Sequence, residues 1–228
     1  MTGYEFSFDK IAPEFDDHVR EQLPFYDLML ESIGSLIDLG ISEQKRHDRR
    51  KKKWEVNDIG CATGNLFGYL TKQPYFDDIH YLGTEPCASM CRIARGRYRK
   101  YKNFELSDGF LTKSDFIVLN LTWMFMAHRS RYDLDSLRRR VKSGGYIILV
   151  DKFYSKDSHE RLRNQKMLWD YKAKTQSMDA ILRKEISLQA FQLPEKREFF
   201  TDAGFEEFFR YGDFSGYIWR SDNWRDEE

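Results

Sequence analysis

The sequence predicts an α/β fold in which a mostly parallel sheet is covered by helices on both faces and closes with an antiparallel C-terminal strand. Short apolar segments alternate with helical ones from residue 54 onward, which is typical of parallel strands connected by helices. A glycine turn follows the first of these strands, and an acidic residue follows the second. Open α/β sheets bind ligands at this position, beyond the carboxyl ends of their strands.

The elements are predicted in chain order from apolar spacing. We expect a short helix over 16–22 and a docking helix over 26–39, and then strands at 54–59, 79–83, 104–106, 116–119 and 146–150. Helices are expected between them at 65–72, 88–101 and 133–141. A polar helical stretch follows at 158–192, and the segments 205–210 and 215–220 form a predicted antiparallel pair. We therefore expect one domain over 1–228, with 1–40 as an N-terminal lid and docking helix and 158–192 as a helical insertion.

Length and composition agree with a single α/β domain. The chain has 228 residues and a mass of 27.4 kDa, and 41% of its residues are hydrophobic, which is enough for one buried core. Its 37 basic and 37 acidic residues balance, so net charge favours no partner. No run of about 18 apolar residues and no signal-peptide pattern occurs, which predicts a cytoplasmic protein without membrane contact. Cys61, Cys87 and Cys91 give neither a disulfide framework nor a metal site.

The glycine turn and the acidic residue together indicate a nucleoside ligand. Gly60 and Gly64 allow a sharp turn and close approach of the backbone. Their spacing matches neither the dinucleotide fingerprint nor the phosphate loop of nucleoside triphosphatases. Glu85 lies about 20 residues beyond the turn, where a carboxylate accepts hydrogen bonds from a ribose diol.

In this order the motifs resemble those of the class I S-adenosylmethionine (SAM) dependent methyltransferases. The segment 58–64 is similar to their first motif and Glu85-Pro86 to their second. Asp108-Gly109 stands where the family places an acid beside adenine, and Asn120 ends the strand that borders the methionine portion. A Gly-Gly turn leads into the fifth strand at 144–145. The resemblance implies a Rossmann-like sheet and SAM as the cofactor.

Within that superfamily the chain is most similar to the carboxy-SAM synthases, which serve tRNA uridine modification. The segments 15–26, 118–122, 151–153 and 202–205 carry this likeness over about two hundred residues. Glu185 stands where those synthases place the arginine that grips the extra carboxylate, although Arg183 or Lys184 could replace it if the helix were shifted. The resemblance implies cofactor-binding roles for Tyr26, Asp58, Gly60, Cys61, Ala62, Gly64, Glu85, Pro86, Asp108, Gly109 and Asn120.

Three functions remain open. Because Glu185 would repel an anionic ligand, the sequence favours a SAM-dependent methyltransferase with an unidentified acceptor. The alternative is a carboxy-SAM synthase that uses SAM and prephenate for tRNA wobble uridine modification, and the second alternative is a non-catalytic SAM- or RNA-binding module. Methyl transfer depends mainly on positioning, so no catalytic residue is assigned. Tyr26 could contact the ligand or pack in the core, and His18 is more readily a surface residue of the lid than a base.

Two features bear on partners. The basic run 45–53 is either a solvated helix end and loop, which we favour, or a contact for RNA. Apolar residues of the insertion could pack on the same chain, which we favour slightly, or on a second subunit in a homodimer; they are Trp169, Met178, Ile181, Leu182, Ile186 and Leu188.

Overall fold

The computed structural model describes residues 6–107, 109, 112–126, 133–189 and 192–221. The strands are β1 Trp54–Ile59, β2 Ile79–Thr84, β3 Phe104–Ser107, β4 Ser114–Asn120, β5 Val141–Tyr154, β6 Glu195–Lys196, β7 Glu206–Tyr211 and β8 Phe214–Arg220. In the central sheet they lie in the order β3-β2-β1-β4-β5-β8-β7, and the short β6 pairs with the end of β5. Strands β3, β2, β1, β4 and β5 pair in parallel, while β8 is antiparallel to both neighbours. The predicted α/β sheet is confirmed.

Helices surround this sheet. They are α1 Phe8–Ile11, α2 Phe15–Gln22, α3 Tyr26–His47, α4 Asn65–Leu70, α5 Ala88–Tyr98, α6 Leu134–Arg140, α7 Ser158–Lys172, α8 Met178–Gln189 and α9 Arg197–Asp202. Helix α3 continues to His47 rather than ending at 39, because Ile41 and Gln44 carry its buried face onward. The long stretch predicted at 158–192 is divided into α7 and α8. Asp157 begins the first of these helices by accepting a hydrogen bond from the His159 amide at 2.8 Å.

Alternate residues of β5 enter cores on the two faces of the sheet. Ile148 packs in the cluster formed with α3 and α4, while Ile147 and Leu149 pack in the cluster that contains Leu137 of α6 and Phe200 of α9. Successive side chains of a strand point to opposite faces, so an unbroken apolar run needs helices on both. Each fully buried Ile or Leu contributes about 1.5–3 kcal/mol. The unbroken apolar run of β5 therefore explains why helices cover both faces of the sheet.

Within the described ranges, no helix combines the length and the apolar character that a membrane span requires.

Candidate functional site

A cavity of about 670 Å³ lies beyond the carboxyl ends of β1, β2 and β4, beneath α1, α2 and the helices of the insertion. Its volume suits a small-molecule site. The wall contains these predicted cofactor residues: Tyr26, Asp58, Gly60, Cys61, Ala62, Glu85, Pro86, Gly109 and Asn120. Asp108 lies outside the described residues. Gly64 is not among the lining residues and instead precedes the first turn of α4. The structure thus gathers most of the residues that the motifs placed at separate strand ends.

The loop after β1 has a left-handed backbone at several positions. Gly60 has a φ of 74° and Gly64 a φ of 81°, as the glycine turn predicts, and Ala62 adopts 48°. A Cβ atom on Gly60 would lie 2.4 Å from the Thr122 Oγ1, and one on Gly64 would lie 2.6 Å from a ring carbon of Tyr98. The absence of a Cβ at Gly60 and Gly64 therefore allows neighbouring side chains of the protein to pack closely against the backbone. At Gly60 this packing brings the loops after β1 and β4 together at the cavity.

Glu85 ties the glycine loop to the end of β2. Its Oε2 accepts a hydrogen bond from the Ala62 amide at 2.9 Å, and its Oε1 accepts one from the Cys87 amide at 2.7 Å. Burial raises the pKa of Glu85, and the two amides oppose this by stabilising the charged form. Each carboxylate oxygen accepts two hydrogen bonds, so both retain a lone pair for a ligand diol. Glu85 is therefore held ready for the role that the sequence predicts.

Asp58 lies beneath the same loop at the end of β1. It is 3% exposed, and its Oδ2 accepts a hydrogen bond from the Tyr81 hydroxyl. Burial raises the pKa of Asp58 to about 7, against the effect of this hydrogen bond. The side chain also borders the cavity. Asp58 thus supports the loop from below, and its predicted contact with a ligand remains a prediction.

Three residues that line the cavity each have a buried polar atom without a hydrogen-bond partner in the described part of the chain. These atoms are the Asn120 Oδ1, the Thr84 Oγ1 and the Gln22 Oε1. Leaving a polar group in this state costs about 1–3 kcal/mol, so a ligand that pairs with it gains affinity. SAM offers an ammonium group, ribose hydroxyls and an adenine amino group as donors. The residues present therefore fit SAM, with Glu85 available for the ribose and Asn120 for a donor.

The insertion brings a group of charges to the cavity. The Lys172 Nζ lies 2.6 Å from one oxygen of Glu185, and the Lys152 Nζ lies 3.9 Å from the other. Burial opposes ionisation of Glu185, but Lys172 and Lys152 outweigh it and hold the pKa of this carboxyl below its ordinary value. The repulsion that the sequence predicts between Glu185 and an anionic ligand is therefore offset, because two cations already engage this carboxylate.

Lys184 is the residue of the 183–184 pair that reaches the cavity. Arg183 is exposed and bonds Asp179 at 2.8 Å, whereas the Lys184 Nζ lies 2.6 Å from the His18 Nε2 in the cavity wall. His18 is half-buried there, so the favoured interpretation of His18 as a surface residue is wrong. Burial, with help from Lys184, lowers the pKa of His18 to about 4, which keeps the imidazole neutral at pH 7.

Sequence patterns missed several groups in the wall. Lys152, Lys172 and Gln22 carry no motif, and the pairing of Lys172 with Glu185 joins two different helices. Aromatic rings complete the wall. Phe8 meets Phe125 with 5.3 Å between ring centroids. Of the missed residues, only Lys152 lies in a segment that resembles the carboxy-SAM synthases, and this was the only sequence signal that could have found one of them. The remaining contacts depend on how α2, α7 and α8 pack.

Comparison with known families and sequences gives a consistent result. The family model described as "Methyltransferase domain" matches residues 57–149. The carboxy-S-adenosyl-L-methionine synthase of Campylobacter jejuni subsp. jejuni serotype O:23/36 (strain 81-176) is 26% identical over 94% of this chain and 93% of its own length. The enzyme of the same name from Aliivibrio fischeri (strain MJ11) is 24% identical over 89% of this chain and 86% of its own.

Comparison with solved structures identifies similar folds. An inferred S-adenosyl-L-methionine-dependent methyltransferase of Methanococcus maripaludis matches with a TM-score of 0.54 and 18% identity, over 99% of both chains. The plantazolicin methyltransferase BpumL, solved in complex with SAH, matches with a TM-score of 0.53 and 17% identity, over 80% of this chain and 62% of its own. At these identities the likeness shows the fold alone.

Proposed function

We propose that this chain, which belongs to the class I SAM-dependent methyltransferase superfamily, transfers the methyl group of SAM to an acceptor. In this proposal the acceptor binds beside Lys172 and Lys184 of the insertion. The observation that carries this proposal is a single cavity that contains both Glu85 and Asn120 and the polar group around Lys184. A donor and an acceptor held in one cavity need little further help, because proximity and orientation supply much of the rate.

The residues of the chain have defined tasks in this proposal. SAM supplies an electrophilic methyl group whose bond to sulfur breaks as the acceptor's electron pair forms the new bond. Glu85 binds the ribose diol, and Asn120 accepts a hydrogen bond from the ligand. The aromatic wall, including Phe8 and Phe125, excludes water from the reacting groups.

Binding and transfer are tested separately. Mass spectrometry of the small molecule released from the purified protein should identify SAM or its demethylated product, and calorimetry should give a Kd for SAM. Protein incubated with methyl-labelled SAM and separate pools of metabolites, RNA and proteins should label one pool. Binding of SAM with no labelled pool would favour the non-catalytic alternative, and absence of SAM binding would contradict the proposal.

A matched pair of variants tests the role of Glu85. Replacing Glu85 by Gln removes the charge and one acceptor oxygen, so we expect SAM affinity to fall about 10- to 100-fold. Glu105→Gln changes the same chemical group on β3, where the side chain is 63% exposed, and should leave Kd unchanged. Equal affinities of the two variants would remove Glu85 from the ligand site.

Carboxy-SAM synthesis is a second candidate, because the cavity end around Glu185 is rich in cations. Lys152, Lys172 and Lys184 all line it, and a cationic wall suits a carboxylate on the ligand or on a carboxyl donor. The names of the curated relatives point the same way. Incubation with SAM and prephenate, followed by mass spectrometry, distinguishes the two functions. Carboxylated SAM would establish the synthase, and unchanged SAM would leave methyl transfer.

A contact between the basic run 45–53 and RNA remains a weaker proposal. Three of its lysines bind acceptors of the same chain, namely Lys45 to Asp78, Lys51 to Gln44 and Lys53 to Asp77. The run also precedes β1, whereas the cavity lies beyond the other end of this six-residue strand, about 20 Å away. Salt-sensitive tRNA binding that is lost when Arg49, Arg50 and Lys52 are neutralised would support the contact.

A homodimer is proposed through the exposed face of the insertion. Met178, Leu182 and Ile186 lie at intervals of four along α8 and are all exposed, and Leu162 of α7 is exposed as well. Four large apolar side chains on one insertion suit a protein contact. The cytoplasmic location predicted from the sequence likewise remains a prediction.

A further inference from the structure

Lys184 lies in the cavity wall as a buried amine in contact with a histidine. Its side chain is on α8 and is 7% exposed, and its Nζ lies 2.6 Å from the His18 Nε2. We propose that Lys184 accepts the proton of the methyl acceptor and that His18 positions its amine for this task. The inference rests on the proposed methyl transfer and assigns a proton acceptor to it.

The charges around Lys184 favour its neutral form. Burial contributes most and the Lys172 ammonium contributes next, and together they lower the pKa of Lys184 to about 7. Glu185 and Glu21 act in the opposite direction. Their contributions are smaller than those of burial and Lys172, so the net effect remains a lowered pKa. A lysine that is desolvated beside another cation retains a free lone pair near neutral pH.

His18 provides a neutral partner for that amine. Because the pKa of His18 is lowered to about 4, its Nε2 can accept a hydrogen bond from protonated Lys184 without adding charge. A second proton on the pair would be opposed by Lys172. The pair therefore takes up a single proton near neutral pH, which is the capacity that one deprotonation requires.

The proposed step balances. The acceptor's O–H or N–H bond breaks, its proton moves to the lone pair of the Lys184 Nζ, and its bonding electrons remain on the acceptor for the new bond to carbon. The resulting ammonium returns its proton to solvent after the product leaves. A base whose pKa is close to the working pH is efficient in this role and contributes about 10²- to 10⁴-fold.

A titration that does not depend on turnover tests the charge state. Brief labelling of the SAM-free protein with acetic anhydride over a range of pH, followed by peptide mass spectrometry, gives a half-labelling pH for each lysine. We expect about 7 for Lys184 in the wild-type protein and in the control Arg183→Met, which changes the exposed neighbouring residue. A half-labelling pH for Lys184 above about 9, close to that of an ordinary lysine, would overturn the inference.

Two substitutions then separate a proton acceptor from an anchor for an anion. Lys184→Met should retain SAM affinity within about 3-fold. Its rate of methyl transfer to the pool that wild-type protein labels should fall about 10²-fold or more, and the pH profile of that rate should lose its acid limb. Lys184→Arg should be equally inactive, because a guanidinium keeps its proton. Activity retained in Lys184→Arg would show an anchor and overturn the inference. Wild-type protein that binds SAM but labels no pool would defeat the proposed function, while the titration would still report the neutral amine.

Discussion

Replacement of Gly60 by Ala tests whether the loops after β1 and β4 are held in contact. The backbone there has a φ of 74°, which costs an alanine about 1–2 kcal/mol. The added Cβ would also lie 2.4 Å from the Oγ1 and 2.6 Å from the Cγ2 of Thr122, and such overpacking costs about 1–3 kcal/mol. We therefore expect the free energy of unfolding to fall by about 2–5 kcal/mol.

Gly204 provides a matched control for the backbone contribution. Its φ is 75°, but nothing lies within 4 Å of an added Cβ, so Gly204→Ala should lose only about 1–2 kcal/mol. A double-mutant cycle of Gly60→Ala with Thr122→Ala, which removes the two nearest atoms, should give a coupling energy of about 0.5–3 kcal/mol. Urea unfolding measures the wild-type protein, the three single variants and the double variant, and calorimetry should show weaker SAM binding only for the Gly60 variants. Equal losses for Gly60→Ala and Gly204→Ala would refute the contact.

Three further predictions concern the insertion. Lys172→Met should lower the free energy of unfolding by about 1–3 kcal/mol in urea titrations, because it leaves the partly buried Glu185 without its nearest cation while Lys152 remains 3.9 Å away. Lys172→Met with Glu185→Leu should recover most of this loss, and a harmless single variant would contradict the pairing. Because Lys184 binds fewer protons when folded than when unfolded between about pH 7 and its ordinary pKa of 10.5, its contribution to stability should rise with pH across that window, and Lys184→Met should remove this rise. Light scattering should show that the wild-type protein is a dimer. Ile186→Glu, at a position that is 68% exposed, should dissociate this dimer, whereas the control Leu39→Glu on α3 should not. A wild-type monomer would refute the homodimer.

The sheet could be predicted because the information is local. Strand β1 spans Trp54–Ile59 as expected, β2 ends one residue later than predicted, and β4 begins two residues earlier and ends one residue later. Buried parallel strands require short apolar runs, and the turns that follow them require glycine or an acid at fixed places. Gly60 and Glu85 were found by this logic, and both line the cavity.

Element ends were less well determined, because packing and not propensity sets them. Helix α3 extends to His47, into the basic run, and just before that run Gln44 donates a hydrogen bond to the Gly144 carbonyl 3.1 Å away. Gly64 illustrates the same limit. The motif identified it, but the tertiary structure packs it against Tyr98 instead of placing it in the cavity wall.

By itself the sequence determined the α/β class and the end of the sheet where the cavity lies, and most of the cofactor residues it predicted do line that cavity, because each follows from short-range patterns of apolar residues, glycine and acid. Only the tertiary structure decided the electrostatics of that cavity. His18 meets Lys184 from 166 positions away, and Glu185 receives its counter-charge from Lys172 on another helix. Charge effects depend on distance and burial, which are properties of the folded chain.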